Sequence, residues 1–113
     1  MTSRSEILLS SQTHGDDSVT ETITGDKLQG DGYYGRSDGL HTVQHSVSDF
    51  TGTIEIQATL AVDPSESDWF TVLSFLLDDT TQTSINSFTG NYVWIRATVE
   101  YTNGSVNNII LNH

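Results

Sequence analysis

The chain has 113 residues with 15 acidic and 4 basic side chains, one proline and no cysteine, for a formal charge of −11. That length is one domain at ~100–200 residues per domain. The absent cysteine excludes disulfides, thiolate zinc sites and a cysteine nucleophile. The acidity excludes nucleic acid and anionic membranes as partners, since phosphate neutralisation needs clustered Lys and Arg, and Arg4, Lys27, Arg36 and Arg96 are never neighbours.

At the N-terminus, Met1 to Ser10 hold one short apolar run, Ile7-Leu8-Leu9. A secretory core needs about 7–15 apolar residues and a membrane span ~18–20, so neither a signal peptide nor a transmembrane segment is expected. Residues 1 to 15 are expected to be loosely held. Val19, Glu21 and Ile23 alternate among threonines as an edge strand would. Gly30 to Gly39 then packs four glycines into ten residues, with Tyr33, Tyr34 and Arg36 between them. It lacks the Lys-Ser/Thr ending of a phosphate loop, so its glycines suit tight turns or a binding loop.

His41, Val43, His45 and Val47 fall on one face of the next strand. On a strand His41 and His45 lie about 13 Å apart at ~3.3 Å per residue, too far to share a metal ion. Two histidines packed or hydrogen-bonded beside Val43 and Val47 are expected instead; if both are buried and neutral, acid near pH 6 loosens the fold. Ile54, Ile56, Ala58 and Leu60 alternate with polar residues up to the turn at Asp63-Pro64. Asp63, Glu66 and Asp68 near this turn are weak calcium candidates, but no Gly-centred calcium loop frames them, and solvated loop carboxylates are the plainer reading.

Trp69 to Leu77 is nearly continuously apolar and predicts a strand buried on both faces. Tyr92 to Tyr101 predicts another, joined by an Asn103-Gly104 hairpin turn to Val106–Leu111. Tyr92 and Trp94 share one face of that strand. With Trp69, Tyr33, Tyr34 and Arg36 they are the candidate binding residues, for a subunit contact or a glycan; packing into the core is the competing role. Phe50-Thr51-Gly52 recurs as Phe88-Thr89-Gly90, and Ile56–Leu60 echoes Ile95–Val99. Either two strands occupy equivalent places in two facing sheets, or Phe-Thr-Gly is simply a good strand entry.

The fold expected from this pattern is all-β: a single antiparallel β-sandwich or jelly-roll-like domain of about eight short strands. No Gly-x-Ser-x-Gly turn, metal-binding His-Glu pattern or distinguished carboxylate pair is present, so no enzyme, catalytic residue, cofactor or metal is expected.

One series of motifs is more specific: Gly35 with His41-Thr42-Val43, Phe50-Thr51-Gly52-Thr53-Ile54, Leu60 with Pro64, Asp68-Trp69-Phe70, Asn91-Tyr92-Val93-Trp94-Ile95-Arg96-Ala97, and Gly104-Ser105-Val106. It resembles small β-sandwich structural proteins and modules of the virions of marine tailed phages, over residues 33–113. The resemblance implies a non-enzymatic virion structural or accessory protein, located on the particle, that self-assembles as a homo-oligomer or docks on other virion proteins. It assigns no catalytic or binding residue. The alternative function is a carbohydrate-binding module using the Gly30–Gly39 loop and an aromatic face.

Overall fold

A computed structural model describes residues 5–14, 20–30 and 39–112. Among the described residues seven antiparallel strands form one hydrogen-bonded sheet: β1 (Ser5–Leu9), β2 (Gln12–His14), β3 (Glu21–Thr24), β4 (Leu28–Gln29), β5 (Leu40–Thr59), β6 (Phe70–Thr89) and β7 (Trp94–Asn112). The order is β1-β7-β5-β6, with β2, β3 and β4 also laid along β7. No helix among the described residues is long and apolar enough to cross a membrane.

Three of these strands are 19 or 20 residues long, where eight short ones were expected. They are long because each turns from one layer of a sandwich to the other without leaving the sheet. On β5 and β6 the turn falls where Asp49 and Asp79 take left-handed backbone angles, φ 49° and 46°. On β7 it falls at Gly104, φ 98°. The ladders slip at the same line, between Val47 and Gly52 on β5. Asp tolerates this region better than most residues, and glycine enters it freely.

Asn103-Gly104 is therefore a bend inside β7, not the hairpin turn that the dipeptide predicts. A two-residue hairpin of that kind needs positive φ at both positions, and Asn103 does not have it. Gly104 is also demanded by space: a Cβ there would lie 2.6 Å from Phe50 Cα on β5. Gly52 answers it from the other strand, where a Cβ would lie 2.6 Å from Tyr101 Cα.

Folding the sheet on this line closes the alternating apolar faces on each other. Val43 and Val47 before the bend, Ile54, Ile56 and Ala58 after it, and Ile95, Ala97, Val99, Ile109 and Leu111 from β7 are all buried. Each of these Val, Ile and Leu side chains contributes roughly 1.5–3 kcal/mol on leaving water. Contacts across the layers confirm the closure: the ring of His45, before the bend, lies 4.6 Å from Phe75, after it. At the fold line Phe50 stacks on Tyr101 at 5.5 Å and 14°. The all-β sandwich expected from the sequence is the fold.

Some local expectations change. Phe50-Thr51-Gly52 sits in the middle of β5, so it is not a strand entry there. The echoed segments Ile56–Leu60 and Ile95–Val99 are not equivalent strands of facing sheets: Ile56 pairs with Ala97 and Ala58 with Ile95, side by side in one layer. Ser5–Leu9 and Gln12–His14, expected to be loose, are paired with β7.

Candidate functional site

β6 closes one side of the sandwich, and among the described residues no strand pairs with its outer edge. The sequence predicts Trp69–Leu77 as a strand buried on both faces; the structure makes most of it the first half of an edge strand. Inward, Leu73, Phe75, Leu77 and Phe88 are half-buried against the core. Outward, Leu76 is 83% exposed and Ile85 64% exposed, while Phe70 at the strand's start lies opposite the buried Ala58 and is left 45% exposed at the rim. Leu40, paired with Thr89 at the far end, is exposed as well. The near-continuous apolar run thus serves two surfaces, core and solvent. Asp78 and Asp79 lie within the strand at its bend.

Natural edges usually carry Lys, Pro or inward-pointing charge to discourage pairing. Phe70–Thr89 has none of these, and its two ionisable side chains are the adjacent Asp78 and Asp79. This edge escaped the sequence reading because burial and edge position depend on which strand lies beside which. The available signal was the absence of gatekeeper residues from a 20-residue stretch.

The second candidate lies on the outer face of the layer after the bend. Arg96 on β7 donates Nε–H to Gln57 Oε1 at 2.8 Å, while its two terminal nitrogens donate to the carboxylate of Glu66 at 3.2 and 3.0 Å. Its guanidinium also lies over the ring of Trp69, 4.3 Å from the centroid. Hydrogen bonding from Arg96, helped by its charge, holds the Glu66 carboxyl below the usual carboxylate range. Beside this group, Trp94 donates Nε1–H to the Val62 carbonyl at 2.8 Å, with Lys27 Nζ 4.9 Å above its ring.

The candidate binding residues are thereby separated. Tyr92 does not share a face with Trp94: it precedes β7 and packs against the core beside Phe88 and Phe70, at 6.0 and 5.5 Å. Chain geometry causes the difference, since strand alternation begins only at Trp94. Trp69 and Trp94 lie half-buried on the outer side, with Arg96 over the ring of Trp69 and Lys27 over that of Trp94. Tyr33, Tyr34 and Arg36, and most of the Gly30–Gly39 loop, lie outside the described residues.

The weak calcium candidates are engaged otherwise. Glu66 holds Arg96. Asp68 Oδ2 accepts from Ser65 N–H at 2.8 Å and Ser65 Oγ–H at 3.1 Å, closing the single 3-10 turn at Glu66–Asp68, while Asp63 is exposed. Among the described residues no group of three or more His, Asp or Glu could hold a metal ion.

His41 and His45 are buried, as their strand face requires. His41 stacks on Phe88 at 5.0 Å, and its Nδ1 lies 2.9 Å from the Gly39 carbonyl, to which it donates. His45 is 1% exposed and neither ring nitrogen has a hydrogen-bond partner. Burial holds its pKa below the ordinary 6.5. An open groove of ≈ 480 Å³ lies beside the fold line, lined among others by Thr51, Thr53, Leu76, Asp78 and Glu100.

No protein-family model and no curated protein matches the chain. Solved structures match it in fold. PirA superposes with a TM-score of 0.53 at 12% identity, over 96% of this chain and 91% of that one. The K3 cleaved adhesin domain of Lys-gingipain from Porphyromonas gingivalis gives 0.52 at 8% identity, over 80% of this chain and 62% of that one. CBM29_1, a family 29 carbohydrate-binding module from Piromyces equi, gives 0.50 at 11% identity, over 98% and 91%. At such identities the likeness is one of architecture: a β-sandwich.

Proposed function

We propose that this protein is a non-enzymatic structural or accessory module of a phage particle, working by self-assembly or by docking on its neighbours through β6. The observation that carries this reading is the edge itself: 20 residues of strand with no partner strand among the described residues, and with Leu76 and Ile85 exposed along it. A strand edge offers a row of backbone donors and acceptors, and exposed apolar side chains beside it add burial when a partner strand is laid on. The motif series that resembles virion proteins of tailed phages supports the particle setting. Sedimentation velocity over a wide concentration range tests the proposal. Concentration-dependent assembly, or co-sedimentation with particle proteins, is expected; a monomer at all concentrations that docks on no particle component overturns it.

A second reading is glycan recognition. It is favoured by Trp69, Arg96, Gln57 and Glu66 gathered on one outer face, a mixture of ring and hydrogen-bonding groups that suits sugar hydroxyls. The carbohydrate-binding module among the similar folds supports it at the level of architecture. Titration with oligosaccharides, followed by tryptophan fluorescence, tests it: saturable changes lost in Trp69→Ala support this reading, and a flat response removes it.

A further inference from the structure

We infer that the partner of β6 is β6 of a second copy, joined edge to edge about a two-fold axis that runs along the strands with both bends at the same end. This rests on the assembly reading above and specifies its contact. In that arrangement the half of β6 after the bend in one copy lies antiparallel beside the half before the bend in the other. Both layers then continue across the junction, so the two four-strand-wide sandwiches become one.

Three observations select a second copy. The first is charge. At −11 per chain two copies repel over most of their surface. Along β6, however, Phe70–Leu77 and Thr80–Thr89 contain no ionisable side chain, and Asp78 and Asp79 sit together at the bend, at one end of the contact.

The second is the match of faces. Antiparallel partners directly opposite each other must point to the same side of the sheet. Ser74 and Leu76 point outward, opposite Glu55 and Thr53 of β5; Thr83 and Ile85 point outward, opposite Ser46 and Gln44. Leu73 and Phe75 point inward, opposite the buried Ile56 and Ile54; Ser84 and Asn86 point inward, opposite the buried His45 and Val43. With the bends aligned, Leu76 meets Thr83 of the partner subunit, Ser74 meets Ile85, Phe75 meets Ser84 and Leu73 meets Asn86. Every pair agrees in face.

The third is size. Each large apolar residue in this register meets a smaller or polar one, so no two bulky side chains collide head on. Leu76 and the partner subunit's Ile85 become diagonal neighbours on the outer face, within reach at ~7–8 Å. The two most conspicuous exposed residues of the edge therefore cover each other twice, once on each side of the axis.

The native chain has no cysteine, so single cysteines report the register cleanly. Leu76→Cys and Thr83→Cys chains, mixed and oxidised with diamide, should give the mixed disulfide, because directly opposite positions fall within the ~4.4–6.8 Å Cα spacing that a disulfide needs. Ile7→Cys mixed with Thr83→Cys supplies the background. Leu76→Lys and Ile85→Lys, both at solvent-exposed sites, should keep the fold by circular dichroism and weaken self-association by ~10-fold or more. Cross-linking at background level, or dimers untouched by the lysines, overturns edge pairing while leaving the broader assembly reading intact. Loss of all assembly in the native chain, with no docking on particle proteins either, overturns both.

Discussion

Asp49 donates its backbone N–H to Thr81 Oγ1 over 2.9 Å, tying β5 to β6 at the line where both strands change layer. The bond has a mirror: Asp79 donates its N–H to Thr51 Oγ1 over 3.0 Å. In each strand a left-handed aspartate is followed two residues later by the threonine that receives the other aspartate's amide. The strained backbone of one strand is thus held by the side chain of its neighbour, and both strands turn together.

Replacing either threonine by valine keeps the shape and leaves one amide without that acceptor. Thr51→Val and Thr81→Val should each cost about 0.5–1.5 kcal/mol, read as a fall of several degrees in Tm. The two bonds clasp one bend, so the double variant should depart from additivity; a strictly additive cycle would contradict a shared clasp.

Gly104→Ala should destabilise more than either. Its backbone angle of 98° is unfavourable for any side chain, and the new Cβ would press on the backbone of Asp49 and Phe50. About 2–4 kcal/mol is expected in chemical denaturation, from strain and overpacking together. A change under ~0.5 kcal/mol would contradict the close crossing of β5 and β7 at the fold line.

Phe50 fills that crossing, fully buried and stacked on Tyr101. Phe50→Ala should cost about 3–5 kcal/mol, the usual range for a buried aromatic truncated to alanine. Phe70→Ala, at an exposed site on the edge strand, should cost much less. Equal effects would contradict the placement of the core.

His45 makes stability depend on pH. Its folded pKa lies below the ordinary 6.5 because the ring is buried without a hydrogen-bond partner. The unfolded chain therefore takes up the proton first, and the folded state loses stability as pH falls through 6.5. The loss is at most about 1.4 kcal/mol per pH unit and ends at the folded pKa. His45→Leu should be neutral to stabilising at pH 7.5 and should flatten the slope below pH 6.5. The same slope in both proteins would assign the titration to another group.

The layers are legible in the sequence, but their connection is not. The alternation of His41, Val43, His45 and Val47 identified a buried face because a period of two is local and survives folding. Asn103-Gly104 misled because the dipeptide reports only that the chain can take positive φ. Whether it reverses direction or merely bends depends on β5 lying against β7. The same holds for the aromatic residues. Nothing local to Tyr92 says that it precedes the strand and turns to Phe88, while Trp94, two residues on, faces out. Edge position is the least local property of all, and Leu76 and Ile85 acquire their meaning from it.

Hydrogen–deuterium exchange of Phe70–Thr89, followed from dilute to concentrated protein, tests the docking role of β6 most directly. The outward-pointing amides of this strand are expected to exchange fast when dilute. They should become protected as the protein concentrates, while those of β3, on the opposite side, do not change. Protection of β6 that is independent of concentration, or that appears on β3 instead, would contradict it.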